Sequence, residues 1–211
     1  MPLQEFYDVL MNRRSIRCYR RKEIPEEKLK RVLDAGRWAP SAHNSQPWRF
    51  LVLQSRAAKL KLAKTMGEAL RQDREKDGGD PEDIAREVRA SINRFTDSPV
   101  IVLVSLTMQE MDVYPDKGRQ QAEQTMAVQS VAAAIQSILL ATQAEGLASC
   151  WFCAPLFCQA EVRDVVSLPK DWIPQAVITM GYPAETPPPP ERLALQEVVK
   201  FFEEEPGGWM G

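Results

Sequence analysis

Three arginines and a serine lie close together near the N-terminus, in Arg13-Arg14-Ser15-Ile16-Arg17. A guanidinium group is a rigid fork of hydrogen-bond donors that matches the oxygens of a phosphate, and a serine hydroxyl adds a further donor. This spacing indicates a site for one small phosphorylated ligand. Solvated arginines or surface ion pairs would give the same pattern, so the stretch alone leaves both interpretations open.

A second polar stretch runs from Pro40 to Trp48. Ser41, Asn44 and Gln46 supply neutral donors and acceptors, and Pro40 and Pro47 favour turns and prevent the preceding helix from continuing. Loops held between regular elements often form binding sites. Composition alone does not distinguish such a site from a simple connection.

The chain also contains Cys150-Trp151-Phe152-Cys153, a Cys-x-x-Cys spacing that serves zinc and redox sites. A structural zinc ion needs four ligands, and the remaining candidates, Cys18, Cys158 and His43, form no second paired motif. Residues three apart on a strand face opposite sides, which opposes joint action by the two thiols. We therefore predict buried, packing roles for the cysteines and no metal ion.

Histidine is the side chain that most often exchanges protons near neutral pH, so His43, the single histidine of the chain, is a candidate proton donor. A loop histidine is more often solvated or a simple hydrogen-bond partner. We therefore assign no catalytic residue.

The composition of the whole chain limits the possible classes of protein. Its 211 residues suit one domain, and 44% hydrophobic with 27% charged residues argue against disorder. Residues 13–37 contain ten Lys or Arg against four Asp or Glu, but the net charge is −2 and the sequence pI about 5.6, so we expect no nucleic-acid partner. No uninterrupted apolar run reaches roughly 18 residues, and the N-terminus lacks a secretory pattern, so we expect no membrane span and a cytoplasmic protein.

Hydrophobic periodicity predicts alternating helices and strands. Helices are predicted at residues 5–12, 25–38, 59–71, 82–95, 120–145 and 161–167, and strands at 48–54, 99–106, 148–153 and 175–181. Lys76 to Pro81 is predicted to be a mobile loop or lid. We interpret residues 1–211 as a single domain with an extended C-terminal tail at residues 183–211 that contains a run of prolines at residues 187–190.

Four motifs in the same order resemble those of the nitroreductase family. They are the arginine stretch; Ala39-Pro40-Ser41-Ala42-His43-Asn44-Ser45-Gln46-Pro47-Trp48-Arg49-Phe50; Gly146-Leu147-Ala148-Ser149-Cys150-Trp151; and Gly181-Tyr182-Pro183-Ala184-Glu185 followed by Arg192. The resemblance covers nearly the whole chain. It implies an α+β fold in which helices flank a central, mostly antiparallel sheet, and an intertwined homodimer with flavin mononucleotide (FMN) in the subunit interface.

The resemblance also implies which residues bind FMN. The N-terminal group and Arg192 would hold the phosphate and the polar edge of the ring, the loop residues would come from the partner subunit, and backbone N–H groups near Cys153 would face the flavin. The implied set is Arg13, Arg14, Ser15, Arg17, Pro40, Ser41, Ala42, Asn44, Cys153, Ala154 and Arg192. Arg94 is a further candidate, for contact with the ribityl chain.

The implied function is an FMN-dependent oxidoreductase with NAD(P)H as co-substrate. It would pass electrons by a ping-pong mechanism to a small nitroaromatic, quinone or other conjugated acceptor, and the flavin would carry the chemistry. Two alternatives stay open. The stretch from Cys150 to Cys158 resembles a branch that includes reductases associated with deazaflavin maturation, so the acceptor could be a deazaflavin or flavin-like precursor. The chain could also bind FMN without catalysis.

Overall fold

The computed structural model describes residues 3–202 and contains helices and strands close to the predicted positions. The α-helices are α1 Leu3–Asn12, α2 Glu26–Arg37, α3 Arg56–Lys76, α4 Pro81–Asp97, α5 Lys117–Ala144, α6 Gln159–Val165 and α7 Leu195–Val198. The strands are β1 Trp48–Leu53, β2 Val100–Leu106, β3 Ala148–Phe152 and β4 Ile173–Gly181. The end of the predicted tail, residues 203–211, lies outside the described residues.

The four strands form one sheet in the order β1-β2-β4-β3, and each neighbouring pair is antiparallel. Every residue of β2 is buried, as expected for a β-branched run covered on both faces. A small register shift between Val104 and Ser105 interrupts the pairing of β2 with β4. The predicted α+β class with a mostly antiparallel sheet is confirmed.

Alternation along β2 separates the core into two layers, because successive side chains of a strand point to opposite faces. Val102 and Val104 pack with α2 and α5, whereas Ile101 and Leu103 pack with α3, α4 and α6. β3 is one of the two edge strands of the sheet, so its outer side is available to backbone groups from outside the four strands.

Helix α5 is longer than its predicted counterpart and contributes Val131, Ile135 and Ile138 to the core. Within residues 3–202 it is one helix whose length and mean hydropathy would allow it to cross a bilayer. The prediction from sequence considered only uninterrupted apolar runs and therefore missed this helix. Core helices pass the same test, and this helix packs against the sheet and α2.

The predicted lid between α3 and α4 is instead a short turn. The backbone N–H groups of Asp77 and Gly79 donate to the carbonyl groups of Asp73 and Arg74, and the Asp80 side chain caps α4. Gly78 has φ 77°, which glycine adopts without steric cost. The glycines and the proline mark a tight helix connection here, and α3 continues to Lys76 because its helical pattern outlasts Arg71.

Candidate functional site

The N-terminal arginine stretch lies along the outer edge of β3. Ser15 forms a parallel bridge with Ser149, and the Ile16 N–H donates to the Ser149 carbonyl at 3.1 Å. The Tyr19 hydroxyl lies 2.6 Å from the Ile16 carbonyl and 2.7 Å from the Thr179 hydroxyl on β4. The stretch is therefore fixed to the sheet although it belongs to no named strand.

Two arginines that are distant in sequence meet at the end of β3. The guanidinium carbons of Arg17 and Arg94 lie 5.8 Å and 5.7 Å from the Phe152 ring centroid. Burial raises the pKa of the Cys150 thiol, and the positive charges of Arg17, Arg94 and Arg13 act in the opposite direction. We call Arg13, Arg14, Arg17 and Arg94 the arginine edge.

The arginine edge has no acidic partner among the described residues, since none of its members forms a salt bridge there. Some arginines on other surfaces do form salt bridges, such as Arg31 with Glu145 at 2.6 Å and Arg74 with Glu87 at 3.1 Å. Arg14 donates from Nη1 to the Met11 carbonyl at 2.6 Å, and its Nε is buried without a hydrogen-bond partner. A buried donor without an acceptor is costly, so the edge is suited to an added anion.

The backbone beyond β3 turns at Cys153 and continues as a 3-10 turn from Ala154 to Phe157. Cys150 and Cys158 are buried as predicted. Cys18 and Cys153 are exposed, so the predicted buried role is wrong for these two residues, neither of which lies on a strand. Among the described residues, no backbone hydrogen bond is donated by the N–H of Cys153 or Ala154. These groups are available to an acceptor on a ligand.

The loop from Pro40 to Pro47, which we call the Pro40–Pro47 loop, has an unusual backbone. His43, Asn44 and Gln46 all have positive φ, at 55°, 52° and 46°. Such conformations are uncommon outside glycine and cluster at functional sites, where the surrounding structure holds them.

Contacts with α5 and within the loop maintain this shape. The Ala42 N–H donates to the Ser130 hydroxyl at 3.2 Å, and the Gln46 N–H donates to the Ser41 hydroxyl at 3.0 Å. His43 Nε2 lies 3.4 Å from a carboxylate oxygen of Glu123. Ser41 and Ala42 are half-buried, and Pro40 and Asn44 are exposed.

The predicted site residues therefore lie in two groups, one along and just beyond β3 and the other in the Pro40–Pro47 loop. Arg192 lies in neither group. No hydrogen bond or salt bridge among residues 3–202 joins the arginine edge to the Pro40–Pro47 loop within one chain. Arg192 lies on the exposed tail, where its Nη1 donates to the Glu191 carbonyl at 3.0 Å.

Sequence analysis missed Glu123 and Asp112, which the fold places beside His43. The available signal was an acidic residue on a face of α5 that is otherwise small or apolar, including Ala127 and Val131. Charged residues are seldom fully buried without a partner, so such a position indicates a specific role.

A four-stranded antiparallel sheet between two helical layers, with an unpaired cationic edge, defines an α+β protein equipped to hold an anionic ligand beside the sheet. The family model described as "Nitroreductase family" matches residues 10–182, and the chain belongs to this family.

Similar proteins extend over nearly the full chain. A protein provisionally named NADH dehydrogenase/NAD(P)H nitroreductase from Methanothermobacter thermautotrophicus is 30% identical, with 90% of this chain and 86% of the relative covered. NADH dehydrogenase from Thermus thermophilus is 28% identical, with 94% and 97% covered. A provisionally named nitroreductase from Desulfovibrio desulfuricans, solved in complex with FMN, is 25% identical with a TM-score of 0.71, and 95% and 98% of the two chains are covered.

Proposed function

We propose that this chain is an FMN-dependent oxidoreductase that takes electrons from NAD(P)H and delivers them to a small conjugated organic acceptor in a ping-pong cycle. Family membership and the names of the relatives support the cofactor and the electron donor. The observation that carries the proposal is the arginine edge, which supplies positive charge along the outer edge of β3 and forms no salt bridge among the described residues.

The residues of this edge fit the phosphate of FMN. Arg14 has a buried Nε without a partner, and Arg13 and Arg17 add two further guanidinium groups within the same five-residue stretch. Charge-assisted hydrogen bonds from arginine to phosphate are shorter and stronger than neutral ones. Ser15 adds a hydroxyl group, and we assign these four residues to the phosphate and the polar edge of the ring.

The N–H groups of Cys153 and Ala154 are assigned to the flavin's polar edge. Bound at this site, FMN would supply the redox chemistry between NAD(P)H and the acceptor. Backbone donors held by the 3-10 turn stabilise negative charge without rearranging, because the sheet fixes their positions. No side-chain acid or base is required in this scheme.

We further assign Pro40, Ser41, Ala42 and Asn44 to the flavin site of the partner subunit, and Arg192 to its phosphate. The missing contact between this loop and the arginine edge within one described chain is what a shared site predicts.

Exposed apolar side chains support the homodimer. Helix α1 buries none of its residues, and Leu3 and Met11 are 73% and 61% exposed. On the tail, Phe201 and Phe202 are 87% and 89% exposed. Large exposed apolar patches mark interfaces, so a second copy is expected to cover both terminal segments. Analytical ultracentrifugation of the purified protein would show a dimer, and a monomer at micromolar concentration would contradict this assignment.

Initial-rate kinetics test the proposed cycle. The purified protein should be yellow and should bleach under anaerobic conditions when NADH or NADPH is added. Rates measured with a quinone or a nitroarene as acceptor should give parallel double-reciprocal lines, because the nicotinamide and the acceptor would use the same face and bind in turn. Intersecting lines would contradict the ping-pong order, and bleaching without turnover would indicate an FMN-binding protein. The cytoplasmic location and the single-domain organisation stay predictions.

A further inference from the structure

A buried acidic residue on α5 has one carboxylate oxygen without a hydrogen-bond partner among the described residues. The Glu123 side chain is 2% exposed, and its Oε2 has no hydrogen-bond partner among the described residues. Removing a carboxylate from water without compensation is strongly unfavourable, and buried charges are normally paired or coordinate metals. Glu123 therefore needs positive charge beside it.

Two further ligand atoms lie next to this carboxylate. One ligand atom each from His43, Asp112 and Glu123 falls within 4.8 Å of the other two. His43 Nε2 is 3.4 Å from Glu123 Oε1, which is longer than the roughly 2.7–3.2 Å of an ordinary N–H···O hydrogen bond. Asp112 lies on the exposed segment between β2 and α5, and its Oδ2 is 3.4 Å from the Tyr114 hydroxyl.

The spacing of these atoms suits coordination of a small cation. Zinc binds nitrogen and oxygen at about 2.0–2.1 Å in tetrahedral sites, which places two ligands about 3.3 Å apart. The separation of His43 Nε2 from Glu123 Oε1, 3.4 Å, is close to that value. Asp112 can complete a three-ligand set because its segment is exposed and its hydrogen bond to Tyr114 is long.

A protonated histidine would compensate for these charges incompletely. One imidazolium carries a single positive charge, whereas Glu123 and Asp112 carry two negative charges when both are ionised. Neutral imidazole with two carboxylates is a donor set suited to first-row divalent ions such as manganese and zinc.

We propose that His43, Asp112 and Glu123 bind one first-row divalent cation, with water in the remaining positions. The ion would connect the Pro40–Pro47 loop to α5 and hold His43 in its positive-φ conformation. Binding needs neither FMN nor NAD(P)H, so this proposal is independent of the proposed oxidoreductase activity.

Mn²⁺ is the probe that tests the site. Manganese prefers oxygen and nitrogen ligands, so the exposed thiols of Cys18 and Cys153 do not compete for it. The purified protein, with its native flavin content and after dialysis against a chelator, is titrated with MnCl₂, and free Mn²⁺ is measured by electron paramagnetic resonance. The expected result is one saturable Mn²⁺ per chain that added Zn²⁺ displaces.

Two variants test proposed ligands, and a third serves as the control. Glu123→Gln and His43→Asn should each weaken Mn²⁺ binding at least tenfold, and asparagine tolerates the positive φ of residue 43. Glu110→Gln, an exposed acid in the same connecting segment, is the matched control and should bind Mn²⁺ as the wild type does. Because His43 is 47% exposed, the His43→Asn variant tests the site even if Glu123→Gln fails to fold.

Absence of saturable Mn²⁺ binding by the wild type would overturn the proposal. Equal Mn²⁺ affinity in the wild type and His43→Asn would do the same. Neither result would bear on the flavin site, which is assessed separately by colour and turnover.

Discussion

The arginine edge and the Pro40–Pro47 loop differ in backbone conformation and in charge. The arginine edge rests on regular backbone, with Ser15 and Ile16 paired to β3, and its side chains supply unbalanced positive charge. The loop has few charges and an irregular backbone, with three non-glycine residues at positive φ. One region is built for electrostatic attraction, and the other for shape.

This difference separates two contributions to a ligand site. Charge acts over several ångströms and tolerates small displacements, whereas shape depends on the conformation of each residue. Changes in the arginine edge should therefore alter affinity for a phosphate with little loss of fold stability. Changes in the loop should alter stability and affinity together.

The largest expected effect is on flavin affinity. Arg14→Ala should weaken FMN binding by about 10- to 100-fold, because a hydrogen bond to a charged group contributes about 1.5–3 kcal/mol. Flavin fluorescence after dialysis measures the dissociation constant. Arg89→Ala, which removes an exposed arginine from α4, is the matched control.

Arg192→Ala and Cys150→Ala sharpen the same experiment. Arg192→Ala should lower FMN occupancy, whereas Cys150→Ala should retain FMN. Equal flavin retention in Arg14→Ala, Arg192→Ala and Cys150→Ala would refute the phosphate assignment and remove the basis of the comparison.

The next effect concerns the attachment of the arginine edge to the sheet. A Cβ atom at Gly181 would lie 2.8 Å from Pro99 Cγ and 2.9 Å from Tyr19 Cδ1. Gly181→Ala should lower the free energy of unfolding by about 1–3 kcal/mol, the usual range for overpacking. It should also weaken FMN binding because Tyr19 anchors the arginine stretch. Urea denaturation measures the first effect.

Gly118→Ala is the matched control for Gly181→Ala. Its Cβ would meet Asp116 Oδ1 at 3.5 Å, an ordinary contact, so stability should change by less than about 0.5 kcal/mol. Similar losses in both variants would show that the close packing at Gly181 is not the cause.

A substitution at Asn44 tests whether the backbone conformation of the Pro40–Pro47 loop contributes to stability. Asn44→Val should destabilise the protein by about 1–2 kcal/mol, because a β-branched residue is strained at φ 52°. Asn44→Gly removes the same side chain without that strain and should be close to neutral in urea denaturation. If both variants lost equal stability, the asparagine side chain rather than its backbone conformation would be responsible.

The smallest effect is a loss of stability at alkaline pH that arises beneath the arginine edge. Burial raises the pKa of Tyr19 above its ordinary value near 10. Above that ordinary value the unfolded state loses the phenol proton while the folded state retains it, so stability falls as pH rises.

Urea denaturation between about pH 9 and 11 measures this slope, which is at most about 1.4 kcal/mol per pH unit for one proton. Tyr19→Phe should reduce it. Burial also raises the pKa of Cys158, to about 11, so a remaining slope is expected in the variant. An unchanged slope in Tyr19→Phe would exclude Tyr19 as a source.

Much of this molecule follows from local sequence. The β-branched run at Val100–Leu106 predicts a doubly covered strand, and glycine with positive φ at Gly146 ends α5 as expected. The order of the polar motifs identified the family, and Arg13, Arg14 and Arg17 do lie together, since five consecutive residues cannot be far apart. Short-range periodicity and composition are sufficient for these features.

Local sequence was insufficient where contacts join distant segments. Arg17 and Arg94 both lie beside Phe152, and Glu123 lies beside His43, because the sheet order and the path of α5 bring distant segments together. The turn between α3 and α4 was predicted to be a lid because glycine and proline mark both kinds of connection.

The sequence by itself determined the helices, the strands and the positively charged N-terminal stretch, since these depend on neighbouring residues and on side-chain charge. Only the tertiary structure decided which charges stay unpaired, which loop residues are strained and which carboxylate is buried. Whether a side chain is buried or paired depends on which distant parts of the chain pack against it and exclude water. No short stretch of sequence contains that information.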